Sequence, residues 1–169
     1  FVAEATLSRT FRATVLAANG APGVVGAWVD VLDAPALKSP LAAKGLFNGL
    51  AHAGSRIVAV GQRGHILTSD DGGKTWQQAE VPVSSDLVAV HFPNPQAGWA
   101  VGHDGVVLHS DNGGRSWKRQ RDGRPDAADT PLLDVWFEDA RSGYAVGAFG
   151  LVLRTADGGK TWEPLLHAT

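Results

Sequence analysis

Three loops of this chain place an acidic or amide side chain directly before two glycines, which is similar to the pattern of a calcium-binding loop. The loops lie at residues 69–76, 110–117 and 155–162. A calcium loop needs a further ladder of oxygen ligands that ends in a bidentate Glu near its twelfth position. Counting on from Asp70, Asp111 or Ala156 finds no Glu at that place. We therefore expect no metal site in these loops and assign them a structural role.

Other residue types that perform catalysis are scattered along the chain. There is no Cys, which excludes a thiolate nucleophile, a zinc–thiolate site and an iron–sulfur cluster. The 6 histidines show no His-x-x-x-His or His-Glu-x-x-His spacing. No Gly-x-Ser-x-Gly turn provides a nucleophilic serine. We therefore expect no catalytic residue, no metal ligand and no cofactor.

The composition is that of a folded soluble domain. The chain has 169 residues, of which 44% are hydrophobic and 19% are charged. Its formal net charge of -2 creates no general attraction to nucleic acid or to an anionic membrane. No apolar stretch approaches the roughly 18–20 residues that span a bilayer. We expect neither nucleic-acid binding nor membrane insertion and, because the chain has no Met and starts at Phe1, a processed or partial chain.

The loops belong to an internal repeat. Trp76, Trp117 and Trp162 are separated by 41 and 45 residues, and the 18 residues that end at each Trp align without a gap. Eight of those 18 columns are identical in all three copies. In the middle copy we expect strands at Leu87 to Phe92, Gly98 to Val101 and Val106 to His109, and a fourth that begins near Ser116. Four-stranded units at this period predict an all-β fold, a β-propeller with three clear blades.

Each loop resembles the Asp-box, also called the BNR repeat, whose pattern is Ser/Thr-x-Asp-x-Gly-x-Thr-Trp. The middle copy departs from it with Asn112 and Ser116, which can still accept hydrogen bonds from turn amides. We expect the short polar side chain to cap backbone N–H groups and the Trp ring to pack between neighbouring units. The predicted structural residues are Ser69, Asp71, Gly73, Thr75, Trp76, Ser110, Asn112, Gly114, Ser116, Trp117, Thr155, Asp157, Gly159, Thr161 and Trp162.

Asp-boxes also occur in sialidases and other glycosidases, so a glycan-directed propeller is an alternative. A sialidase-like site needs a Tyr nucleophile, a Glu partner, an acidic Asp and several arginines. The only tyrosine, Tyr144, aligns with Trp99 and Val58 and is expected to fill a blade. No glutamate has an evident carboxylate partner. We therefore expect no enzyme, and a structural arc of a larger complex is a third, weaker interpretation.

Two features go beyond a generic Asp-box: Ala-Val-Gly-x-x-Gly precedes each box, and the strand pairs VAVHF…GWAVG and LDVWF…GYAVG recur. Together they resemble the photosystem II stability and assembly factor family, which includes relatives in non-photosynthetic bacteria. The resemblance covers roughly residues 31–166. It implies a seven-bladed, non-enzymatic propeller that is exported to the periplasm or, in a photosynthetic organism, to the thylakoid lumen. It also implies a protein client, either a membrane protein or its assembly intermediate.

The variable columns of the repeat suggest where a partner binds. Two residues stand between the paired glycines of each copy and differ every time, whereas the glycines do not: Gln62 and Arg63, His103 and Asp104, Ala148 and Phe149. Constant columns are explained by packing, so exposed variable turns are free to contact a partner. In the family, partner binding involves an arginine-bearing surface. Drift of exposed turns without a function is the competing interpretation.

The repeat also divides the chain. We predict a lead-in at residues 1–45 and blades at residues 46–81, 82–124 and 125–169. Within the lead-in, Arg9 and Arg12 before ATVLAA are compatible with a degenerate secretory signal, and alternation of Phe11, Ala13 and Val15 with an outer strand. Three blades cannot complete a ring when propellers use about four to eight, so we expect open blade faces and self-association.

A local basic cluster precedes the third copy. Its members are Arg115, Lys118, Arg119, Arg121 and Arg124. Asp122 and Asp126 lie in the same Gly- and Pro-containing stretch, which favours a solvated connector. A patch for an anionic partner is the alternative.

Overall fold

The structure is a computed structural model that describes residues 15–16, 22–23, 29–124 and 130–165. It divides into two compact units, Phe1–Asp30 and Val31–Thr169. In the first unit, strands β1 (Val15–Leu16) and β2 (Pro22–Gly23) form an antiparallel pair. The predicted strand residues Phe11 and Ala13 and the basic residues Arg9 and Arg12 lie outside the described residues.

The second unit contains three four-stranded antiparallel sheets, each a simple up-and-down arrangement of consecutive strands. Blade 1 consists of β3 (Phe47–Ala53), β4 (Arg56–Gly61), β5 (Ile66–Ser69) and β6 (Gln77–Gln78). Blade 2 consists of β7 (Leu87–His91), β8 (Gly98–Gly102), β9 (Val107–Ser110) and β10 (Lys118–Arg121). Blade 3 consists of β11 (Leu132–Phe137), β12 (Gly143–Gly147), β13 (Val152–Thr155) and β14 (Glu163–Pro164). The predicted all-β propeller class is confirmed.

The remaining regular elements are single turns of 3-10 helix. They span Ala42–Lys44, Gln62–Gly64, His103–Gly105 and Ala148–Gly150. The last three join the second strand of a blade to the third. Among the described residues no helix is long and apolar enough to cross a membrane.

Strand boundaries in blade 2 differ from the sequence expectation at the Asp-box. The third strand reaches Ser110, and the fourth begins at Lys118, two residues later than expected. Ser116 and Trp117 instead contact the chain that leaves blade 1. Ser116 forms a parallel bridge with Glu80, and the backbone N–H of Trp117 donates to the carbonyl of Glu80 at 3.0 Å. The chain leaving blade 1 therefore pairs with the end of the Asp-box in blade 2.

Apolar side chains form two core clusters, one for each joint between consecutive blades. The first contains residues of blades 1 and 2, including Val58, Val60, Val90, Phe92 and Trp117. The second contains residues of blades 2 and 3, including Trp99, Val101, Val135, Phe137 and Leu153. Each joint is thus filled by alternating side chains from facing sheets, as the burial of one sheet face requires.

The segment before blade 1 lies along the chain that leaves it. The backbone N–H of Ala36 donates to the carbonyl of Val81 at 3.0 Å, and that of Ser84 donates to the carbonyl of Val31 at 2.8 Å. Lys38 Nζ donates to the carbonyl of Gln78 at 2.6 Å. Residues 31–38 are therefore hydrogen-bonded to the connection between blades 1 and 2, and Leu32 is buried in the first core cluster.

Candidate functional site

The alternating strand directions place two kinds of connection at opposite edges of the sheets. The Asp-box loops and the turns between first and second strands lie at one edge. The backbone N–H of Gly113 donates to the carbonyl of Gln96 at 2.9 Å, and that of Gly158 donates to the carbonyl of Arg141 at 2.8 Å. We call this edge the Asp-box edge. The turns between second and third strands lie at the other, which we call the turn edge.

In blade 1 the polar side chains of the Asp-box form hydrogen bonds within their own loop. The Ser69 hydroxyl donates to Asp71 Oδ1 at 2.8 Å and accepts the backbone N–H of Gly73 at 2.8 Å. Thr75 donates its backbone N–H to Asp71 Oδ1 at 2.9 Å and its hydroxyl to Oδ2 at 2.5 Å. The indole of Trp76 donates to the carbonyl of Gly73 at 3.1 Å. Both carboxylate oxygens therefore accept bonds within the turn.

Blade 2 builds the same loop with an amide. Asn112 Oδ1 accepts the Ser110 hydroxyl and the backbone N–H of Ser116, both at 3.0 Å. Asn112 Nδ2 donates to the Ser116 hydroxyl at 2.8 Å, so the hydroxyl is an acceptor here. The backbone N–H of Gly114 donates to Ser110 Oγ at 2.9 Å, and the Trp117 indole donates to the carbonyl of Gly114 at 3.1 Å. The amide therefore forms the same loop, except that the Ser116 hydroxyl accepts a hydrogen bond where the Thr75 hydroxyl of blade 1 donates one.

Blade 3 repeats the carboxylate version. Asp157 accepts the backbone N–H of Thr161 at 3.0 Å and its hydroxyl at 2.6 Å. The Thr155 hydroxyl donates to Asp157 Oδ1 at 2.9 Å and accepts the backbone N–H of Gly159 at 2.9 Å. The indole nitrogen of Trp162 is buried without a hydrogen-bond partner in the described part of the chain.

The three Trp rings are not equally buried. Trp117 is 4% exposed and packs edge-on against Phe92, with 5.8 Å between ring centroids. Trp162 packs edge-on against Phe137 at 5.9 Å but is only half-buried. Trp76 is half-buried and belongs to neither core cluster. Trp117 and Trp162 therefore both pack in a joint between blades, and Trp117 is the most deeply buried of the three rings.

The carboxylates of Asp71 and Asp157 are held in the ionised form by hydrogen bonds within their own turns. The hydroxyl and the backbone N–H of Thr75 are the main cause that lowers the pKa of Asp71 to about 2. Thr161 lowers the pKa of Asp157 to about 2 in the same way. Among the described residues no group of three or more His, Asp or Glu side chains could hold a metal ion. These groups are ionised structural acceptors at neutral pH.

Sequence reasoning missed an ion pair that links two Asp-boxes. Arg56 is 8% exposed, and its Nε and Nη2 donate to the two carboxylate oxygens of Asp70 at 2.7 and 2.9 Å. Its Nη1 donates to the carbonyl of Gly113 in blade 2 at 3.0 Å. The Arg56 bond lowers the pKa of Asp70. The repeat offered no hint, because neither of the other two copies has an Arg at this position.

At the turn edge, the first glycine of each Gly-x-x-Gly turn is required by space. A Cβ atom on Gly61 would lie 2.0 Å from the carbonyl oxygen of Leu46, and one on Gly102 would lie 2.1 Å from that of Asp86. The residue after this glycine is also held by the backbone. The N–H of Gln62 donates to the carbonyl of Leu46 at 3.1 Å, and that of His103 donates to the carbonyl of Asp86 at 2.9 Å. Each turn is thereby fixed at the start of the first strand of its own blade.

The second variable residue of each turn has a left-handed backbone. Arg63 has φ 55°, Asp104 has φ 57° and Phe149 has φ 56°. This region costs a residue with a side chain roughly 1–2 kcal/mol, and glycine adopts it freely. Phe149 is 93% exposed, and Arg63 and His103 are also exposed. Gln62, Asp104 and Ala148 are half-buried. All six predicted partner-binding residues therefore lie at one edge, with the strained positions repeated in every blade.

The turns continue into one another along this edge. The backbone N–H of Arg63 donates to the carboxylate of Asp86 at 2.7 Å, which connects blade 1 to the start of blade 2. The backbone N–H of Gly123 donates to the carbonyl of Asp104 at 2.7 Å, which connects blade 2 to the chain leading to blade 3. The turn edge is therefore a bonded row.

Acidic neighbours neutralise much of the basic cluster. Arg124 forms ion pairs with Asp33 at 2.9 Å and with Asp122 at 2.8 Å. Arg119 lies 3.5 Å from Asp122 and donates to the carbonyl of Leu32. The Arg124 hydrogen bond lowers the pKa of both aspartates. Lys118 pairs with Asp111, and Arg121 donates to the carbonyl of Gly105. These contacts favour the solvated connector, and Asp126 lies outside the described residues.

The residue that a sialidase-like site would use stands in a sheet. Tyr144 lies in β12, opposite Trp136 and Arg154 in the neighbouring strands. Its ring is stacked with Trp136 at a centroid distance of 6.5 Å. It is 40% exposed on the outer face of blade 3.

This chain matches one protein-family model and a set of solved structures. The family model of the photosynthesis system II assembly factor YCF48 matches residues 51–124, from the first strand of blade 1 to the end of blade 2. Comparison with curated protein sequences finds no match.

Solved structures share the fold over a longer stretch. A structure described as YCF48 bound to D1 peptide has a TM-score of 0.61 and 24% identity over 70% of this chain and 39% of its own. YCF48 from Cyanidioschyzon merolae has a TM-score of 0.58 and 22% identity over 73% and 41%. An ancestral GH74 enzyme has a TM-score of 0.54 and 19% identity over 70% and 20%.

This chain thus spans about two fifths of the length of the two YCF48 structures. At these identities the structures establish the propeller fold. The family model adds a match in sequence over the first two blades. The predicted resemblance to the photosystem II assembly factor-like family of BNR β-propellers is thereby confirmed.

Proposed function

We propose that this chain is a non-catalytic, exported propeller segment that binds a protein client through its turn edge. The client is a membrane protein or its assembly intermediate. The observation that carries the proposal is the row of left-handed residues Arg63, Asp104 and Phe149. A site within the periplasm or the thylakoid lumen fits the family resemblance.

The strained backbone at the turn edge supports a function for the side chains at these positions. Glycine at the three positions would remove the backbone cost, yet each copy keeps a different side chain there. Phe149 adds a second cost, since its ring is almost fully exposed to water. Aromatic residues and arginine are also the types enriched where proteins bind one another. Unfavourable positions that retain such side chains are typical of contact residues.

The comparisons support a peptide or protein partner. One of the solved structures with this fold is described as bound to D1 peptide. The GH74 enzymes share the fold at lower identity, which alone provides no active site. The Asp-box carboxylates are occupied by their own turns, and Tyr144 belongs to a blade. A glycan-directed propeller is therefore the less favoured alternative.

The test changes the turn edge and a matched set at the Asp-box edge. The double variant Arg63→Ala with Phe149→Ala should keep its free energy of unfolding within about 0.5 kcal/mol, as exposed positions usually do. It should lose most of the client recovered from detergent-solubilised membranes of the native host and identified by mass spectrometry. The control variant Lys74→Ala with Lys160→Ala changes two exposed residues at the opposite edge and should recover the client normally.

Two results would contradict the proposal. Equal client recovery by both double variants would remove the turn edge from the site. Turnover of a sialoside or another glycoside by the unaltered chain would place it in a different functional class.

A further inference from the structure

A histidine side chain bonds the first strand of blade 2 to the first strand of blade 3. The backbone N–H of Phe137 in β11 donates to Nδ1 of His91 in β7 at 3.1 Å. A ring nitrogen of histidine accepts a hydrogen bond only when it carries no proton. This contact therefore requires a neutral His91 whose proton is on Nε2.

His91 lies beside the aromatic stack at the centre of this joint. It is opposite Trp99 in the sheet of blade 2, and the Trp99 ring stacks on that of Phe137 with 3.6 Å between centroids. On β11 the ring of Trp136 is 6.2 Å from that of His91, and the carboxylate of Asp134 attracts a protonated His91. Burial has the larger and opposite effect, and it lowers the pKa of His91 below the usual value of about 6.5.

A second histidine contacts the same stack from β9. His109 lies opposite Trp99, with 4.8 Å between the ring centroids. Burial lowers the pKa of His109 as well, while Asp111 opposes this shift and Lys118 adds to it. Among the described residues no hydrogen bond joins the His109 ring to blade 3. His109 is therefore a matched buried histidine that lacks the bond across the joint.

The joint between blades 1 and 2 is bonded by groups of a different kind. Ala51 stands at the position of His91 in the repeat and has no ring. Instead, Arg56 Nη1 donates to a carbonyl of the blade 2 Asp-box at 3.0 Å, and Asn48 Nδ2 donates to the carbonyl of Leu87 at 2.9 Å. Neither a guanidinium nor an amide changes its protonation in mild acid.

We propose that mild acid selectively weakens the joint between blades 2 and 3, with His91 as the switch. Protonation turns Nδ1 into a donor, so the N–H of Phe137 loses its acceptor. An N–H without an acceptor and the burial of a charged ring both oppose the closed joint. Asp134 attracts the imidazolium but does not replace the lost acceptor. The joint between blades 1 and 2 keeps its bonds over the same pH range.

The direction of the pH effect follows from proton binding in the folded and unfolded chains. His91 binds a proton near pH 6.5 when the chain is unfolded and at a lower pH when it is folded. The stability of the fold should therefore fall as the pH decreases through about 6.5, until the folded chain is also protonated. For each such histidine the equilibrium constant of unfolding rises by at most about tenfold per pH unit. His109 acts in the same direction, so a local measurement is needed to identify His91.

Nuclear magnetic resonance of the Phe137 backbone amide in the 169-residue chain provides that measurement. Between about pH 8 and pH 5 its resonance should shift together with the titration of the His91 ring. The amide of Trp117, which donates to the carbonyl of Glu80 in the other joint, is the internal control and should not shift. His109→Gln removes the second buried histidine and should leave the Phe137 titration unchanged.

Variants at the switch separate the hydrogen bond from the charge. His91→Gln supplies an amide oxygen that accepts the Phe137 N–H at every pH, so the pH-dependent shift should disappear. His91→Leu has no acceptor, and its Phe137 amide should exchange with solvent faster than that of the unaltered chain at about pH 8. Asp134→Asn removes the charge that favours protonation and should move the transition to lower pH.

A Phe137 resonance that stays fixed while His91 titrates would overturn the proposal. A pH-dependent shift that persists in His91→Gln would overturn it too, as would an equal response of the Trp117 amide. None of these measurements involves a client, so the outcome is independent of the proposed function.

Discussion

The two edges of the blades differ in what stays constant among the three copies. At the Asp-box edge the side chains are nearly constant, because their polar atoms accept the N–H and hydroxyl groups of the loop itself. At the turn edge the backbone is constant, while the side chains at Arg63, Asp104 and Phe149 differ in type. Constant side chains therefore mark the edge whose loops are hydrogen-bonded internally, and changing side chains on a constant backbone mark the edge that we propose for a partner.

The largest expected effect is the loss of Trp117, the most deeply buried of the three Asp-box rings. Trp117→Ala removes a fully buried indole and should lower the free energy of unfolding by about 3–5 kcal/mol. Trp76→Ala and Trp162→Ala should cost less, because these rings are half-buried. Denaturant unfolding of the three variants measures the difference. Equal losses would mean that the ring acts through its own loop and not through the joint.

The next effect tests the constant backbone of the turn edge. Gly102→Ala places a Cβ atom 2.1 Å from the carbonyl oxygen of Asp86, so the turn must shift. We expect a loss of about 1–3 kcal/mol, as for other overpacked sites. His103→Ala, one residue later and exposed, is the control and should remain within about 0.5 kcal/mol. A Gly102→Ala variant as stable as this control would show that the turn edge is plastic.

A smaller effect is expected on the stability of the fold at acidic pH. The pKa of about 2 for Asp71 lies below the value of about 3.9 for an unfolded aspartate, so its stabilising contribution is complete above about pH 4. That contribution is lost as pH falls through about 2. Asp71→Asn copies the loop of blade 2 and should make unfolding less sensitive to acid in this window. Asn112→Asp should increase that sensitivity. Acid titrations followed by circular dichroism that coincide for all three chains would contradict this account.

The smallest effect has the opposite sign. Phe149→Gly relieves the left-handed strain, and the greater freedom of glycine in the unfolded chain offsets part of the gain. The free energy of unfolding should therefore rise by at most about 1 kcal/mol, while client recovery falls. Thermal unfolding beside the client assay measures both. A clear loss of stability would show that the ring supports the fold, and the distinction between the two edges would fail there.

Much of the fold could be predicted because it rests on repeated residues. The constant glycines and Trp162 with its equivalents determine the period, and the alternating apolar residues determine the strands. The contacts of Arg56 could not be predicted, because a residue present in one copy has no column with which to compare it. The left-handed backbone at Phe149 could not be predicted either, since aromatic residues rarely adopt this conformation.

The hydrogen bond between Gly113 and Gln96 also affects how the chain ages. An Asn-Gly sequence such as Asn112-Gly113 loses ammonia when the glycine nitrogen attacks the Asn side chain and forms a succinimide. Here the backbone N–H of Gly113 donates a hydrogen bond to the carbonyl oxygen of Gln96 at 2.9 Å, and Asn112 Nδ2, the nitrogen that would leave as ammonia, donates to the Ser116 hydroxyl at 2.8 Å. Peptide mass analysis after prolonged incubation should therefore find Asn112 intact in the folded chain and deamidated in the unfolded one. The hydrogen bond from Gly113 to Gln96 should thus also slow deamidation of the middle loop.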